Sequence, residues 1–403
     1  MAIQTQDSAQ TRAAIWNDPR ARAIFWQIVV VILVVAGLWY LIGNVIENRN
    51  DQGIASGYGF LEREAGFEIS ESIISYGAAN TYGRAFLVGI LNTFIVGALG
   101  IVAATIIGTI MGIARLSKNW LIAKVASAYV ETVRNIPLLL QLFVWYAVIT
   151  ESMPNPQDEG GPLSILGIAY LSNRGFDIAA PVPDPAFVWM GVAVVIAVIG
   201  IIFLRRYAEK QQAATGERLP VLLYSLVLLI GLPLIVWLVS GMPTDWDVPL
   251  PPGHPDGNRF RFVGGANVSP EFMALFLGLS IYTAGFIAEI VRSGIQAVPW
   301  GQTEAASALG LRRGLVLRLV VLPQALRIII PPTTSQYLNL VKNSSLAVAI
   351  GYPDLVSVGN TTLNQTGQAL EAISLFMAVY LIISLAISAF MNWYNTHIKL
   401  VER

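Results

Sequence analysis

Eight stretches of this chain are long and apolar enough to cross a lipid bilayer as helices, at about 20 residues for each ~30 Å of hydrocarbon. They run approximately over residues 24–46, 86–113, 128–150, 186–204, 219–240, 271–291, 328–350 and 372–394, with polar residues interrupting the third and the seventh. Hydrocarbon offers the backbone no hydrogen-bond partners, so such stretches close their bonds internally. The predicted fold is therefore all-α and polytopic. A water-soluble globular fold is excluded, because only 12% of the residues are charged, about half the ~25% of an ordinary soluble domain.

An even number of spans places both ends on one side, and lysine and arginine decide which side faces the cytoplasm. With the N terminus inside, seventeen of these residues are cytoplasmic, including Arg12, Arg115, Arg218, Arg313, Lys399 and Arg403. Six fall outside, and only Arg134 and Lys342 lie within spans. The first stretch is longer than a signal-peptide core and Gly43-Asn44-Val45-Ile46-Glu47 offers no small-x-small cleavage site, so it is expected to remain as a span.

Three outside connections are long, at about 47–84, 151–185 and 241–270. The last two carry Pro181-Val182-Pro183-Asp184-Pro185 and Pro249-Leu250-Pro251-Pro252-Gly253-His254-Pro255, which disfavour helix and predict extended, restrained backbone. They serve either as connectors or as a docking surface for a soluble partner, to which Asp158, Glu159, Asp177, Asp184, Asp245 and Asp247 would contribute charge.

The chain also excludes much chemistry. Basic and acidic residues balance, so nothing draws it to nucleic acid. Cysteine is absent and the two histidines, His254 and His397, lie far apart in the sequence, so no metal centre is predicted. The dipeptide Gly-Lys occurs nowhere, which removes the phosphate-binding loop, and no Gly-x-Ser-x-Gly elbow exists. No catalytic residue is predicted.

The connection after the sixth span is short of bulk and rich in helix formers. Thr303 is placed to cap a helix with Glu304 near its start, Ala305, Ala306 and Ala308 favour it, and Gly310 is placed to end it in a left-handed conformation. Pro323 is then expected to break the helix that follows. Glu304-Ala305-Ala306, Gly310 and Leu322-Pro323 together resemble the coupling signature of binding-protein-dependent ABC importer permeases.

The surrounding runs resemble the polar amino acid permeases more narrowly. They are Ala288 to Pro299, Gly301 to Ala306, Leu322 to Arg327, Leu340-Val-Lys-Asn-Ser-Ser-Leu346, Asn92-Thr93, and Tyr129 to Gln141. The resemblance covers roughly residues 84–395. It leaves 1–83 as tail, first span and outer loop, and 396–403 as a cytoplasmic tail. The added length, with an extra pair of spans within about 151–270, is similar to one of the two unlike permeases of general L-amino acid importers.

The resemblance implies a type I importer fold in the bacterial inner membrane. Its implied partners are a second, similar permease, two ATP-binding cassette subunits that hold ATP and Mg, and a periplasmic amino-acid-binding protein. This chain would bind no cofactor itself. Glu304, Ala305, Ala306, Gly310, Leu322 and Pro323 would couple it to the ATPases.

Polar groups inside spans are costly and mark candidate path residues. Lys342 sits about 14 residues into its span, roughly 20 Å deep, with Glu289 as a candidate partner. Asn339, Asn343, Ser344, Ser345 and Gln141 add donors and amides suited to an amino acid zwitterion. Glu131 and Arg134, three apart, are placed either to line the path or to pair with each other. Gly100, Ala104, Gly108 and Gly112 form a smooth stripe, read as a helix-packing face. Two other readings remain: a secondary transporter driven by an ion gradient, which would show internal repeats, and a scaffold without transport.

Overall fold

The computed structural model of the chain describes residues 19–398, apart from 52, 54, 55, 159–160, 183, 217–218 and 243–244. Arg12, Glu159, Pro183, Arg218, Lys399 and Arg403 lie outside the described residues. Among the described residues, seven helices are long and apolar enough to span a membrane, or eight if one bent pair counts as a single span.

Helix α1 covers Pro19–Asp51 and α2 covers Tyr82–Ala114. The third expected span is not one helix: α3 (Trp120–Asn135) and α4 (Leu138–Ala147) meet at a bend of 106°. The cause is local. Pro137 disfavours helical backbone at Ile136, which is extended. The Gln141 side-chain amide then donates to the carbonyls of Val133 (2.8 Å) and Ile136 (2.9 Å), which the break leaves open.

Of the proline-rich connections, Ala180–Pro181 is extended as expected. Pro251-Pro252-Gly253-His254-Pro255 instead turns back on itself, with Gly253 at φ +83° and the His254 N–H donating to Pro251 O (3.1 Å), because glycine and proline together favour tight turns. The connections also knit together. Strands β1 (Leu163–Ile165), β2 (Ala169–Ser172) and β3 (Gly175–Ile178) precede β4 (Ala180–Pro181) and the helices α5 (Pro185–Thr215) and α6 (Val221–Val239). Strands β5 (Trp246–Asp247) and β6 (Ala266–Val268) follow. One antiparallel sheet has the order β1-β2-β3-β6, and β4 pairs with β5. The two connections thus close over the base of the α5–α6 hairpin. Hydropathy carries no sign of this, because strands of two to four residues leave no periodicity. Across β3 and β6, buried Asp177 accepts from the Asn267 amide at 2.9 Å through one oxygen, while the other has no hydrogen-bond partner among the described residues. Burial raises the pKa of its carboxyl, and the Asn267 hydrogen bond opposes that only in part.

Helix α7 (Pro270–Gln296) is the centre of the bundle. It touches α2, α3, α4 and α10 (Leu322–Asn343), and its buried Leu275, Leu279 and Ile287 join Val96, Leu142, Leu340 and Tyr352 in the main core. The stripe on α2 is a packing face. A Cβ at Gly108 would meet Ile287 at 2.7 Å, and one at Gly112 would lie 2.6 Å from the Ala288 carbonyl oxygen. Gly100 faces Leu340 of α10 instead.

After α8 (Trp300–Ala308) and the short α9 (Arg313–Val316), the backbone passes through a π-helical turn, Leu317–Val321, directly into α10. Pro323 therefore breaks nothing. It follows closely on the π turn, and that irregularity in the hydrogen-bond ladder accommodates the N–H the proline lacks without ending the helix. Pro331 and Pro332 also lie inside α10, where the Thr333 hydroxyl donates to Ile329 O (2.7 Å) and that of Thr334 to Ile330 O (3.1 Å). Helices α11 (Leu355–Thr366) and α12 (Ala369–Ile398) complete the chain. Asn92 on α2 donates to the carbonyls of Glu71 (2.8 Å) and Pro353 (2.9 Å), and Thr93 Oγ1 accepts from Leu355 N–H (3.0 Å), fixing the segment before α11.

Candidate functional site

Two regions hold part of the set singled out above: the loop around α8, and a cavity between α7 and α10 that takes in only Asn339 and Asn343 of the path candidates.

Pro299 is extended, and α8 starts directly after it at Trp300. Thr303 is thus inside the helix, not its cap, and Glu304 is beyond the first turn. Their places follow from the preceding proline, whose restricted backbone sets the entry to the helix earlier than the Thr-Glu pair suggests. Glu304 instead accepts from the Trp300 indole N–H at 2.8 Å.

The other end matches expectation. Gly310 has φ +76°, the Gly310 N–H donates to Ser307 O (2.9 Å) and the Leu311 N–H reaches back to Ala306 O (3.3 Å). This double-bonded termination needs a left-handed residue, and it brings an apolar side chain back onto the last turn. Leu311 accordingly packs with buried Ala306, Val316 and Val321. The opposite surface of α8 is open, with Glu304 and Ala305 exposed, Trp300 73% and Leu309 82% exposed. Leu322 is exposed beyond the π turn and Pro323 half-buried.

The cavity has a volume of about 250 Å³ and is lined by Tyr282, Thr283 and Phe286 of α7 and by Gln336, Asn339 and Asn343 of α10. Gln336, Asn339 and Asn343 share one helical face through their spacings of three and four. Only Asn339 and Asn343 among the path candidates line it. Lys342 is exposed on α10, and its side chain has no hydrogen bond or ion pair among the described residues. The Ser344 and Ser345 hydroxyls donate to Val341 O and Lys342 O, both at 2.7 Å. Gln141 is used at the α3–α4 bend. Tyr282, Thr283, Phe286 and Gln336 escaped sequence reading because neutral residues inside an apolar stretch carry no mark of which helix they face.

Glu289 is not the partner of Lys342. It binds Arg115, whose Nη1 donates to Oε2, and Arg292, whose Nη2 donates to Oε1 at 2.5 Å and Nε to Oε2 at 3.2 Å. Arg134 lies 3.9 Å from Oε2. No ion pair joins Glu131 to Arg134 among the described residues: α3 packs on α7, which turns Arg134 toward Glu289 and over the Phe286 ring at 5.2 Å, while Glu131 stays exposed. Spacing along one helix permitted the local pair, but a carboxylate on the next helix in a half-buried setting is the better electrostatic partner.

The helices, the glycine-terminated α8 and the polar cavity are those of a multi-pass membrane protein. Residues 216–399 match the family described as binding-protein-dependent transport system inner membrane component. The chain is 51% identical over 387 residues to the General L-amino acid transport system permease protein AapQ of Rhizobium johnstonii, covering 96% of this chain and 94% of that one. It is 42% identical over 415 residues to the Glutamate/glutamine/aspartate/asparagine transport system permease protein BztB of Rhodobacter capsulatus, covering 96% of each. The chain belongs to this family: it is a transmembrane permease subunit of an ABC importer, with the type I permease fold. Nothing in these matches supports an ion-gradient transporter.

Proposed function

We propose that this chain is one of two unlike permeases that together carry L-amino acids across the bacterial inner membrane by alternating access. The observation that carries the reading is the full-length similarity, inserted hairpin included, to permeases named for general L-amino acid and glutamate/glutamine/aspartate/asparagine transport. The charge bias of the connections supports cytoplasmic termini. In that orientation α8 faces the cytoplasm, where its exposed Trp300, Glu304 and Leu309 form the surface received by an ATPase subunit. The β-sheet and proline-rich connections lie on the periplasmic side, toward a binding protein that delivers substrate.

Neutral amides and hydroxyls around the α7–α10 cavity suit a zwitterion, offering donors to its carboxylate and acceptors to its ammonium. A push on α8 would reach Asn339 and Asn343 through the continuous α9–α10 segment, with the π turn as the place where register can change. ATP and Mg belong to the ATPase partners in this scheme.

Purification of the chain from its native membrane tests the reading. A second permease and an ATPase should co-isolate, and hydrolysis should rise when amino-acid-loaded binding protein is added. Isolation of the chain alone, with no associated ATPase, would overturn it.

A further inference from the structure

The cavity between α7 and α10 is neutral, but the charge beside it is not. Tyr282, Thr283, Phe286, Gln336, Asn339 and Asn343 include no acid and no base. One turn along α7 from Phe286, three guanidiniums, of Arg115, Arg134 and Arg292, stand around the single carboxylate of Glu289, and that of Arg134 also lies over the Phe286 ring. Even with exposed Glu131 counted, positive charge is in excess.

The three arginines are not equivalent. Arg115 and Arg292 are hydrogen-bonded to Glu289 and occupy both of its oxygens. Arg134 makes only the 3.9 Å contact, and its side chain has no hydrogen bond among the described residues, although a guanidinium carries five N–H donors. Its position is nevertheless fixed. The stem lies over Gly285, where an added Cβ would come within 3.4 Å of Arg134 Cγ, and the guanidinium rests on Phe286, one wall of the cavity. It is 40% exposed, and so open to a ligand.

A neutral amino acid in this cavity needs nothing beyond amides and hydroxyls. One with an acidic side chain brings a net negative charge into a membrane span whose cavity lining carries no charge to balance it, and such a charge is served by a nearby cation. We propose that Arg134 is the specificity-determining cation of the path: it serves amino acids with anionic side chains, while neutral ones pass without it. This rests on the amino acid importer reading above. Neither Arg134 nor Lys342 is itself a lining residue, but Arg134 rests on the Phe286 wall, and Lys342 has no such ring contact among the described residues.

The test uses the reconstituted importer with saturating loaded binding protein, so that delivery does not limit, and compares maximal uptake of labelled L-glutamate and L-glutamine. Arg134→Gln should lower the glutamate-to-glutamine ratio by about tenfold, the order expected for losing a charge-assisted contact. Arg134→Lys should restore most of it. Phe286→Leu, which removes the ring under the guanidinium, should lower the ratio less, and it decides the matter if Arg134→Gln fails to assemble. Wild-type complex that takes up neither amino acid would refute the importer reading. Wild-type complex that takes up both, with the ratio unmoved in the assembled variants, would refute the role of Arg134 alone.

Discussion

Gly310 is the position where one substitution tests the α8 loop most sharply. No atom lies within 4 Å of where a Cβ would sit, so steric crowding by neighbours plays no part. Its φ of +76° is the whole obstacle. For a residue with a Cβ the left-handed conformation costs about 1–2 kcal/mol, and more for a β-branched one. Asparagine tolerates it far better. The strain is either retained or released by unwinding the last turn of α8, which would break the Gly310 to Ser307 and Leu311 to Ala306 bonds and pull Leu311 from its packing. At about 1–2 kcal/mol the intact loop becomes roughly 5–30 times less populated relative to the unwound one. Loaded-binding-protein-stimulated ATP hydrolysis in proteoliposomes should fall in the order Gly310, Gly310→Asn, Gly310→Ala, Gly310→Val, with normal membrane insertion throughout. Equal activity of the asparagine and valine variants would refute the reasoning, because it would mean that the left-handed turn is not needed.

Gly112→Ala should destabilise the α2–α7 contact by about 1–3 kcal/mol, the usual cost of overpacking, and lower the melting temperature in detergent. Gly37→Ala on α1, where nothing lies within 4 Å, is the matched control and should not. The raised pKa of Asp177 means that the folded sheet binds its proton more readily than the unfolded chain does. Its contribution to stability is therefore full below the ordinary aspartate pKa and lost as pH rises through the elevated one. Amide exchange at β3 and β6, corrected for intrinsic rate, should report looser strands above that window, and Asp177→Asn should flatten the dependence. The chain has no native cysteine, so single replacements report topology directly. Pro255→Cys should react with an impermeant reagent from outside, and Gln212→Cys and Ala305→Cys should not.

Hydropathy located the long helices well because a span must satisfy its own backbone, a constraint that every residue in it carries. It missed the break at Ile136–Pro137, where a single proline and the rescue of two carbonyls by Gln141 outweigh an apolar run of the right length. The left-handed end of α8 was legible from Gly310, since few residues accept that conformation. Its start was not, because Thr303 and Glu304 make as good a cap on paper as Pro299 makes in fact. The lining of the α7–α10 cavity was half legible. Asn339 and Asn343 stand out as amides in a span, but the pairing of Glu289 with Arg115 joins residues 174 apart in sequence. Only the packing of α2, α3 and α7 brings those charges together.

Uptake of labelled glutamine and glutamate into proteoliposomes holding both permeases and the ATPase subunits tests the central claim most directly. Loaded binding protein is supplied outside, ATP is enclosed or omitted, and ionophores dissipate every ion gradient. Accumulation that requires ATP and is indifferent to the ionophores is the expected result. Uptake that proceeds without ATP and collapses with the ion gradient would contradict it.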